Sequence, residues 1–216
     1  MSDERELAGR VVELARKLAG AGAEAEVTAV NSDEALTRFA NSAIHQNVAE
    51  ATTTVRLRLH LDGRTAGGST TVIGADGLTA LVERTIAAAR LAPPDPSWAG
   101  LTAPAPLRPE AGFDEATAAA GPQERAARVR DFVDAAGGLE TAGFCRSTSV
   151  SGGFANSAGQ SVAGRAAEAM MAALIARHLP LSGAQADAVA AAAHPTLRNW
   201  NGTEVGDIRT VGPLEA

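Results

Sequence analysis

The residues of this 216-residue chain that are most able to bind a metal ion are its four histidines, and these are far apart from one another in the sequence. A metalloprotease helix of the His-Glu-x-x-His type places two imidazoles one turn apart, so that both reach one ion. His45, His60, His178 and His194 are each more than five positions from the next histidine. We therefore expect no metal site. His45 follows a turn and is the best of the four histidines as a candidate for a functional role, although an isolated histidine is weak evidence. His60 is expected on the polar face of a strand.

The single cysteine, Cys145, is the second candidate for chemistry. A cysteine nucleophile needs a nearby histidine as base and a third group that orients the base. Cys145 lies between Phe144 and Arg146 in a segment expected to be a strand, where a small buried thiol is the commoner role. One cysteine also excludes an internal disulfide and favours a reducing compartment.

Serine-rich, glycine-rich and basic stretches supply the remaining candidates. Ser147–Ser149 and Ser151–Gly153 lack the Gly-x-Ser-x-Gly elbow of serine hydrolases. Gly67-Gly68-Ser69 lacks the Gly-Lys-Ser/Thr end of a phosphate-binding loop, so we expect glycines on whose backbone a neighbouring element packs. Arg56 and Arg58 have no interleaved aromatic residues and are expected on a solvated sheet face. We predict no catalytic, cofactor-binding or metal-binding residue in this chain.

Composition limits the classes of partner. The chain is 45% apolar and 20% charged, as expected for a globular domain, and its net charge of −6 disfavours nucleic acid as a partner. The N-terminus is charged where a signal peptide needs an apolar core, and no window approaches the roughly 18 apolar residues of a membrane span. We expect a cytoplasmic protein without membrane contact.

Three helices and a set of hairpins would position these side chains. Apolar residues at helical spacing predict helices at 4–20, 76–91 and 122–136. Val55, Leu57, Leu59 and Leu61 alternate with polar residues before Asp62-Gly63, which predicts a half-buried strand entering a primed turn and a return strand over 64–72. The expected fold class is α+β, with a twisted antiparallel sheet of hairpins and the helices packed on one face.

The other segments carry weaker signals. We expect strands at 26–30 and 35–40 separated by a turn at 31–34, and a hairpin formed by 139–150 and 153–162. Residues 165–177 would be helical by propensity but a return strand by context, and both alternatives stay open. Six of the ten prolines fall within 92–112, which indicates an extended connector held to the sheet by Trp98 and Leu101. Residues 184–193 are expected to form a short helix, and 196–216 a poorly ordered end.

A short sequence occurs twice. Phe39-Ala40-Asn41-Ser42-Ala43 is repeated as Phe154-Ala155-Asn156-Ser157-Ala158. Shared turn chemistry would explain the match, since Asn-Ser suits tight turns. A helix followed by a hairpin is nevertheless expected twice, which favours two related units.

Three segments in order resemble the N-terminal part of the TldD/PmbA (TldE) family, especially its actinobacterial TldE-like members. They are Ala35–Asn47, Val55–Gly63 and Phe154–Gln160, and the segments Ala92–Pro94 and Phe132–Gly138 fit the same order. The resemblance covers about residues 5–173. Its length and order are specific, although no single motif is decisive.

The resemblance implies a cytoplasmic metallopeptidase system in which TldD and TldE subunits form a heterodimer around a proteolytic chamber. Unfolded peptides would bind there as added strands and be hydrolysed. The family's zinc site uses a His-Glu-x-x-x-His helix and a cysteine of TldD in a later part of the chain. No such segment occurs here, so the implied role is a TldE-like subunit domain that contributes interface and chamber wall, with catalytic zinc held by a TldD-like partner.

The chain departs from the family after about Met171, where relatives would continue into a second, larger domain. We therefore expect a TldD/PmbA-like domain at 1–173, a divergent tail at 174–216 and no metallopeptidase domain, which favours a truncated or frame-shifted copy. Two alternatives remain. One is a non-enzymatic interaction module of the DNA gyrase modulator or toxin antidote kind, accepting a partner strand along 64–72. The other is a degraded copy with an incomplete sheet.

Overall fold

The structure, a computed structural model, describes residues 3–20, 22–106 and 112–176 and has the predicted α+β class. Helices and strands follow one another in the order α1 Asp3–Ala19, β1 Glu24–Ala40, β2 Ala43–Leu61, β3 Arg64–Thr70, α2 Ala75–Leu91, α3 Glu115–Ala118, α4 Pro122–Ala135, β4 Glu140–Asn156 and β5 Ser161–Ala176. The predicted helices are confirmed to within a residue at each end. Residues 184–193 and 196–216 lie outside the described residues.

The five strands form one open antiparallel sheet in the order β3-β2-β1-β4-β5. β3 pairs with only the C-terminal part of β2, from Val55 opposite Thr70 to Leu61 opposite Arg64. In the described part of the chain the sheet therefore has β3 at one edge and β5 at the other.

Two predicted turns are wrong. β1 runs without a break through 31–34, where Asn31 donates to Asp33 and accepts from Thr53 on the neighbouring strand. These side-chain contacts satisfy Asn31 in an extended strand and outweigh its turn preference. Strand pairing on both sides of β1 adds to this effect.

β4 likewise continues through Ser151-Gly152-Gly153, where a break between hairpin strands was expected. Ser151 donates to Glu4, and the backbone of α1 at Arg5 lies directly over Gly153. A helix packed on the glycine backbone holds this segment straight. The return strand is instead β5, so the strand is the correct alternative for 165–176.

Two tight turns are confirmed by backbone angles. Asp62 and Gly63 have φ of 51° and 72°, and Asn41 and Ser42 have φ of 50° and 58°. Two successive residues with positive φ are the signature of the primed turn that matches the twist of a hairpin. Both turns join adjacent antiparallel strands, as the alternation and the Asn-Ser sequence indicated.

The chain divides into two compact units, neither of which is continuous in sequence. Unit 1 contains Met1–Asp33, Ala51–Gly112 and Val150–Ala166. Unit 2 contains Glu34–Glu50, Phe113–Ser149 and Ala167–Ala216, and the last of these three ranges is described as far as residue 176. Four of the strands contribute a segment to each unit.

Unit 1 contains the larger core. α1 and α2 both bury apolar residues against one face of its strands, including Val11, Val27, Leu57 and Leu81. Gly68 of β3 allows α2 to approach closely: a Cβ there would lie 2.7 Å from Thr85 Oγ1 and 3.0 Å from Leu81 Cδ1. The expectation that a neighbouring element packs on these glycines is confirmed.

Unit 2 has a small core formed by α4 and its strands. Phe39, Val129 and Cys145 are fully buried, and the rings of Phe39 and Phe132 meet edge to face with centroids 5.9 Å apart. This arrangement is a favourable one for two aromatic rings. Phe132 and Val133 of α4 remain only half-buried.

The repeated Phe-Ala-Asn-Ser-Ala sequence lies at two hairpin turns, and in each turn the serine makes the same two hydrogen bonds to the backbone at the start of another strand. In unit 2 the Ser42 N–H donates to Thr141 O, and the Thr141 N–H donates to Ser42 Oγ. In unit 1 the Ser157 N–H donates to Ala25 O, and the Ala25 N–H donates to Ser157 Oγ. Each serine thus extends a strand pairing by one reciprocal pair of hydrogen bonds.

Candidate functional site

The described histidines lie apart from one another. His45 is exposed on β2 in unit 2, and His60 is half-buried on β2 in unit 1; His178 and His194 lie outside the described residues. Among residues 3–20, 22–106 and 112–176, no three His, Cys, Asp or Glu side chains form a group that could hold a metal ion.

His60 belongs to a polar cluster that fixes the connector onto the sheet. Its imidazole stacks on Trp98 with centroids 4.7 Å apart and planes 5° apart, and the Arg58 guanidinium lies 4.9 Å from the same indole. Trp98 Nε1 donates to Glu24, and Arg58 pairs with Glu26 at 2.8 Å. Trp98 therefore anchors the connector as predicted, and Arg58 has a stacking role in addition to its exposed position.

A chain of hydrogen bonds orients His60. The Asp95 carboxylate accepts hydrogen bonds from Thr65 and Ser97, and these bonds hold its pKa below the ordinary value. Thr65 Oγ1 also lies 2.9 Å from His60 Nδ1, within hydrogen-bond distance. These hydrogen bonds link the β2-β3 hairpin to the connector.

Cys145 is a buried structural thiol, as predicted from its neighbours. It lies in the core of unit 2, and burial raises the pKa of the thiol, although the charges of Arg125 and Arg128 offset part of the shift. The folded state therefore holds the protonated form. The stability that this provides is lost as pH rises through the raised pKa.

Thiol–disulfide exchange should report this burial. At pH 8 we expect Cys145 in the native chain to react with a disulfide reagent at least about tenfold more slowly than in urea, because access requires opening of the core. The colour released by the reagent gives both rates. Equal rates in the native and unfolded chain would contradict the buried position.

Arg125 is the residue that the sequence analysis missed. Its side chain is 2% exposed, although it begins in the first turns of α4. The guanidinium donates to Ala120 O at 2.7 Å and to Ser147 Oγ at 3.0 Å, and to Thr37 Oγ1 and Asn47 Oδ1 at 3.3 Å each. Its spacing from Val129 and Phe132, at i+4 and i+7, was the available signal for the buried face of the helix.

The remaining serine candidates also have structural partners. Ser147 is buried with Arg125, and Ser151 donates to Glu4. Arg56 is exposed on its strand, as expected for a solvated sheet face.

An open groove of about 580 Å³ lies in unit 1, between the connector and the start of β5. The Gln160 side chain holds one wall, since its amide accepts from the Ala105 N–H at 2.8 Å and donates to Ala105 O at 2.9 Å. Asn156 donates to Thr102 O in the same way. Arg5 is the charged residue of the lining. The described residues that line the groove offer no acid-base pair for hydrolysis.

Comparison with known proteins places the fold. No protein-family model and no curated protein matches the chain. Solved structures that it resembles include TldE from Thermococcus kodakarensis (TM-score 0.69, 14% identity, 80% of this chain), and candidate modulators of DNA gyrase from Thermotoga maritima (0.61, 14%, 77%) and Bacteroides thetaiotaomicron (0.66, 16%, 80%).

In the part of the chain that the structure describes, no helix is long and apolar enough to cross a membrane.

The chain covers 40%, 38% and 41% of the lengths of the three compared proteins, respectively. At identities of 14–16% the likeness concerns the fold. The chain has the fold shared by the TldE structure and the two gyrase-modulator structures of the TldD/PmbA type.

Proposed function

We propose that this chain acts as the N-terminal domain of a TldE-like subunit, formed by residues 1–173, in a cytoplasmic TldD/TldE-type peptidase. It pairs with a TldD-like subunit and contributes part of the wall around bound unfolded peptides. The zinc and the catalytic groups belong to the partner. The observation that carries the proposal is the fold shared with TldE over 80% of the chain at a TM-score of 0.69.

The contacts of the chain's own residues support a scaffolding role. Arg125, Ser147 and Cys145 are buried in structural contacts, and His60 serves to anchor the connector. A wall needs a stable sheet with fixed loops, and these contacts supply it. Metal-dependent hydrolysis needs a metal-bound water, and within the described residues no three His, Cys, Asp or Glu side chains form a group that could hold the metal ion.

Peptide cleavage tests the proposal. The purified chain with zinc and an unstructured fluorogenic peptide should give no turnover, whereas adding a TldD-like subunit should give a complex on size exclusion and cleavage above that of the TldD-like subunit alone. Turnover by the chain alone would disprove the division of roles. Failure to form the complex would disprove the pairing.

A second candidate is supported by the two structures described as modulators of DNA gyrase. On this interpretation the chain is an interaction module without a peptidase partner, and the open edge of β3 accepts a strand of the target. A pull-down that recovers gyrase subunits and no TldD-like protein would favour this candidate over the first.

A further inference from the structure

The connector that follows α2 is attached to unit 1 in two unequal halves. In the first half the Asp95 N–H donates to Gly63 O, and the indole of Trp98 donates to Glu24. In the second half, all five residues from Thr102 to Pro106 are exposed and belong to no helix or strand. We call this exposed segment the strap. Because it buries no residue of its own, its position depends on the polar groups that meet its backbone.

Two side-chain amides of the β4-β5 turn hold the strap. Asn156 Nδ2 donates to Thr102 O at 2.8 Å. The Ala105 N–H donates to Gln160 Oε1 at 2.8 Å, and Gln160 Nε2 donates to Ala105 O at 2.9 Å. All three bonds are made to the backbone of the strap. They therefore depend on the conformation of the bound segment and not on its side chains.

The Asn156 amide is fixed by its own turn, independently of the strap. The Asn156 side chain is 4% exposed, and its Oδ1 accepts from the Ala158 N–H at 3.1 Å and from the Gln160 N–H at 2.9 Å. With Oδ1 held in this way, Nδ2 must face the strap. A buried donor without an acceptor is costly, so this position requires a carbonyl oxygen whichever segment supplies it.

The strap has a sequence that favours one conformation. Ala103 and Ala105 each precede a proline, which restricts both to the extended or polyproline II region. A polyproline II helix has three residues per turn, so Thr102 and Ala105 lie on the same face of it. These are the two residues whose backbone Asn156 and Gln160 bind. The turn thus binds one face of a proline-containing segment.

The strap also lies beside open space. The groove of about 580 Å³ is lined on one side by Pro104–Pro106 and on the other by Gly159–Ala163. Gly159 has a φ of 98°, and a Cβ added there would lie 3.5 Å from Pro104 Cγ, so the proline ring packs directly on the glycine. The strap can leave this position through the groove without displacing any buried side chain of its own.

We propose that Asn156 and Gln160 form a clamp for an extended, proline-containing peptide, and that the strap is its built-in and displaceable occupant. The ligand is an uncharged segment of the Thr-Ala-Pro-Ala-Pro kind, bound through its backbone in the polyproline II conformation. The clamp is distinct from the β3 edge considered above. Its argument stands without the peptidase assignment.

Competition by a peptide tests the clamp. The probe is the capped peptide Thr-Ala-Pro-Ala-Pro, added to the full chain while the side-chain amide signals of Asn156 and Gln160 are followed by NMR. In the native chain the strap competes at the high effective concentration of a tethered segment. Replacing Pro104 and Pro106 with glycine loosens the strap and leaves the clamp intact, so this variant should bind the peptide at least about tenfold more tightly than the native chain.

Two controls establish that the clamp reads a proline-containing backbone. A probe peptide with glycine in place of both prolines should bind several-fold more weakly, because it loses more conformational entropy when it is bound. Gln160→Ala in the loosened chain should weaken binding of the original peptide about tenfold, since two hydrogen bonds are lost. Gln123→Ala, at an exposed glutamine of α4, should leave that binding unchanged.

A second measurement needs no substitution. Because the strap is expected to open locally, the Ala105 amide of the native chain should exchange at least about tenfold faster than the Asp95 amide, after correction for sequence. Equal corrected rates would mean that the strap opens only together with the firmly held half of the connector, which would overturn the proposal.

Three results of the peptide experiment would also overturn it. They are equal peptide affinity for the native and loosened chains, equal affinity for the glycine peptide, and binding that survives Gln160→Ala. Absence of any shift of the two side-chain amide signals in the loosened chain at about 10 mM peptide would have the same meaning. Backbone amide signals outside the turn and the strap that coincide with those of the native chain show that each variant is folded.

Discussion

Replacing Arg125 with alanine is expected to lower the free energy of unfolding by about 3–5 kcal/mol, the largest effect of any single substitution considered. The guanidinium satisfies oxygens on three elements besides its own: Thr37 on β1, Asn47 on β2 and Ser147 on β4. Alanine leaves the buried hydroxyl oxygens of Thr37 and Ser147 without the Arg125 donor and creates a cavity. Urea unfolding followed by circular dichroism measures the loss.

Arg130→Ala is the matched control, since Arg130 is exposed on the same helix and its replacement should change stability by no more than about 0.5 kcal/mol. Arg125→Lys keeps the charge without the planar fork and should fall between the two. A loss below about 1 kcal/mol for Arg125→Ala would show that these hydrogen bonds are dispensable, because unsatisfied buried groups cost at least that much.

Gly153→Ala should destabilise the fold by about 3 kcal/mol or detach the first turn of α1. An added Cβ would lie 2.2 Å from the backbone nitrogen of Arg5 and 2.4 Å from its Cα, and backbone cannot rotate away as a side chain can. Gly152 is the matched control because it is adjacent in sequence and carries the same substitution. At Gly152 the nearest atom is Ala29 O at 3.7 Å, an ordinary contact, so Gly152→Ala should change stability by less than about 1 kcal/mol.

Thermal melting of the two alanine variants, with far-ultraviolet circular dichroism for helix content, distinguishes them. Equal melting temperatures would mean that α1 does not rest on Gly153. Loss of helix signal with a preserved cooperative transition would place the effect at the first turn of α1, whereas a lower transition temperature with intact helix would place it in the core of unit 1.

Elements with a strong apolar period were predictable from the sequence. Val11 and Leu14 of α1, and Leu78 and Ile86 of α2, repeat at helical spacing. The apolar residues that alternate from Val55 to Leu61 set the buried face of β2. All of these apolar residues are buried in the structure except Leu14, which is half-buried. Burial of an apolar stripe dominates the energetics of such elements, so the local sequence suffices.

Segments that depend on distant contacts were not predictable. Asn31–Glu34 has turn-forming residues, yet neighbouring strands hold it extended. Gly152-Gly153 has the composition of a loop, but the helix that packs on it lies about 150 positions earlier. Local propensity cannot report a partner so remote in sequence.

The same distinction applies to the side chains considered for chemistry. Cys145 was correctly interpreted from its apolar neighbour and strand context, and Trp98 was correctly placed against the sheet. Arg125 was missed because a charged residue is ordinarily assigned to the solvent. Its helical spacing from Val129 was the one local clue to a buried position.

The discontinuity of the two units has a consequence for the order of folding. Unit 1 needs Val150–Ala166, and the Ala25 N–H meets its serine acceptor only at residue 157. During synthesis α1 and the start of β1 must therefore wait until more than two thirds of the chain has left the ribosome. Contacts of this sequence separation are slow to close. Trp98, which bonds Glu24 across 74 positions, provides a fluorescent signal for the shorter closure between the connector and β1.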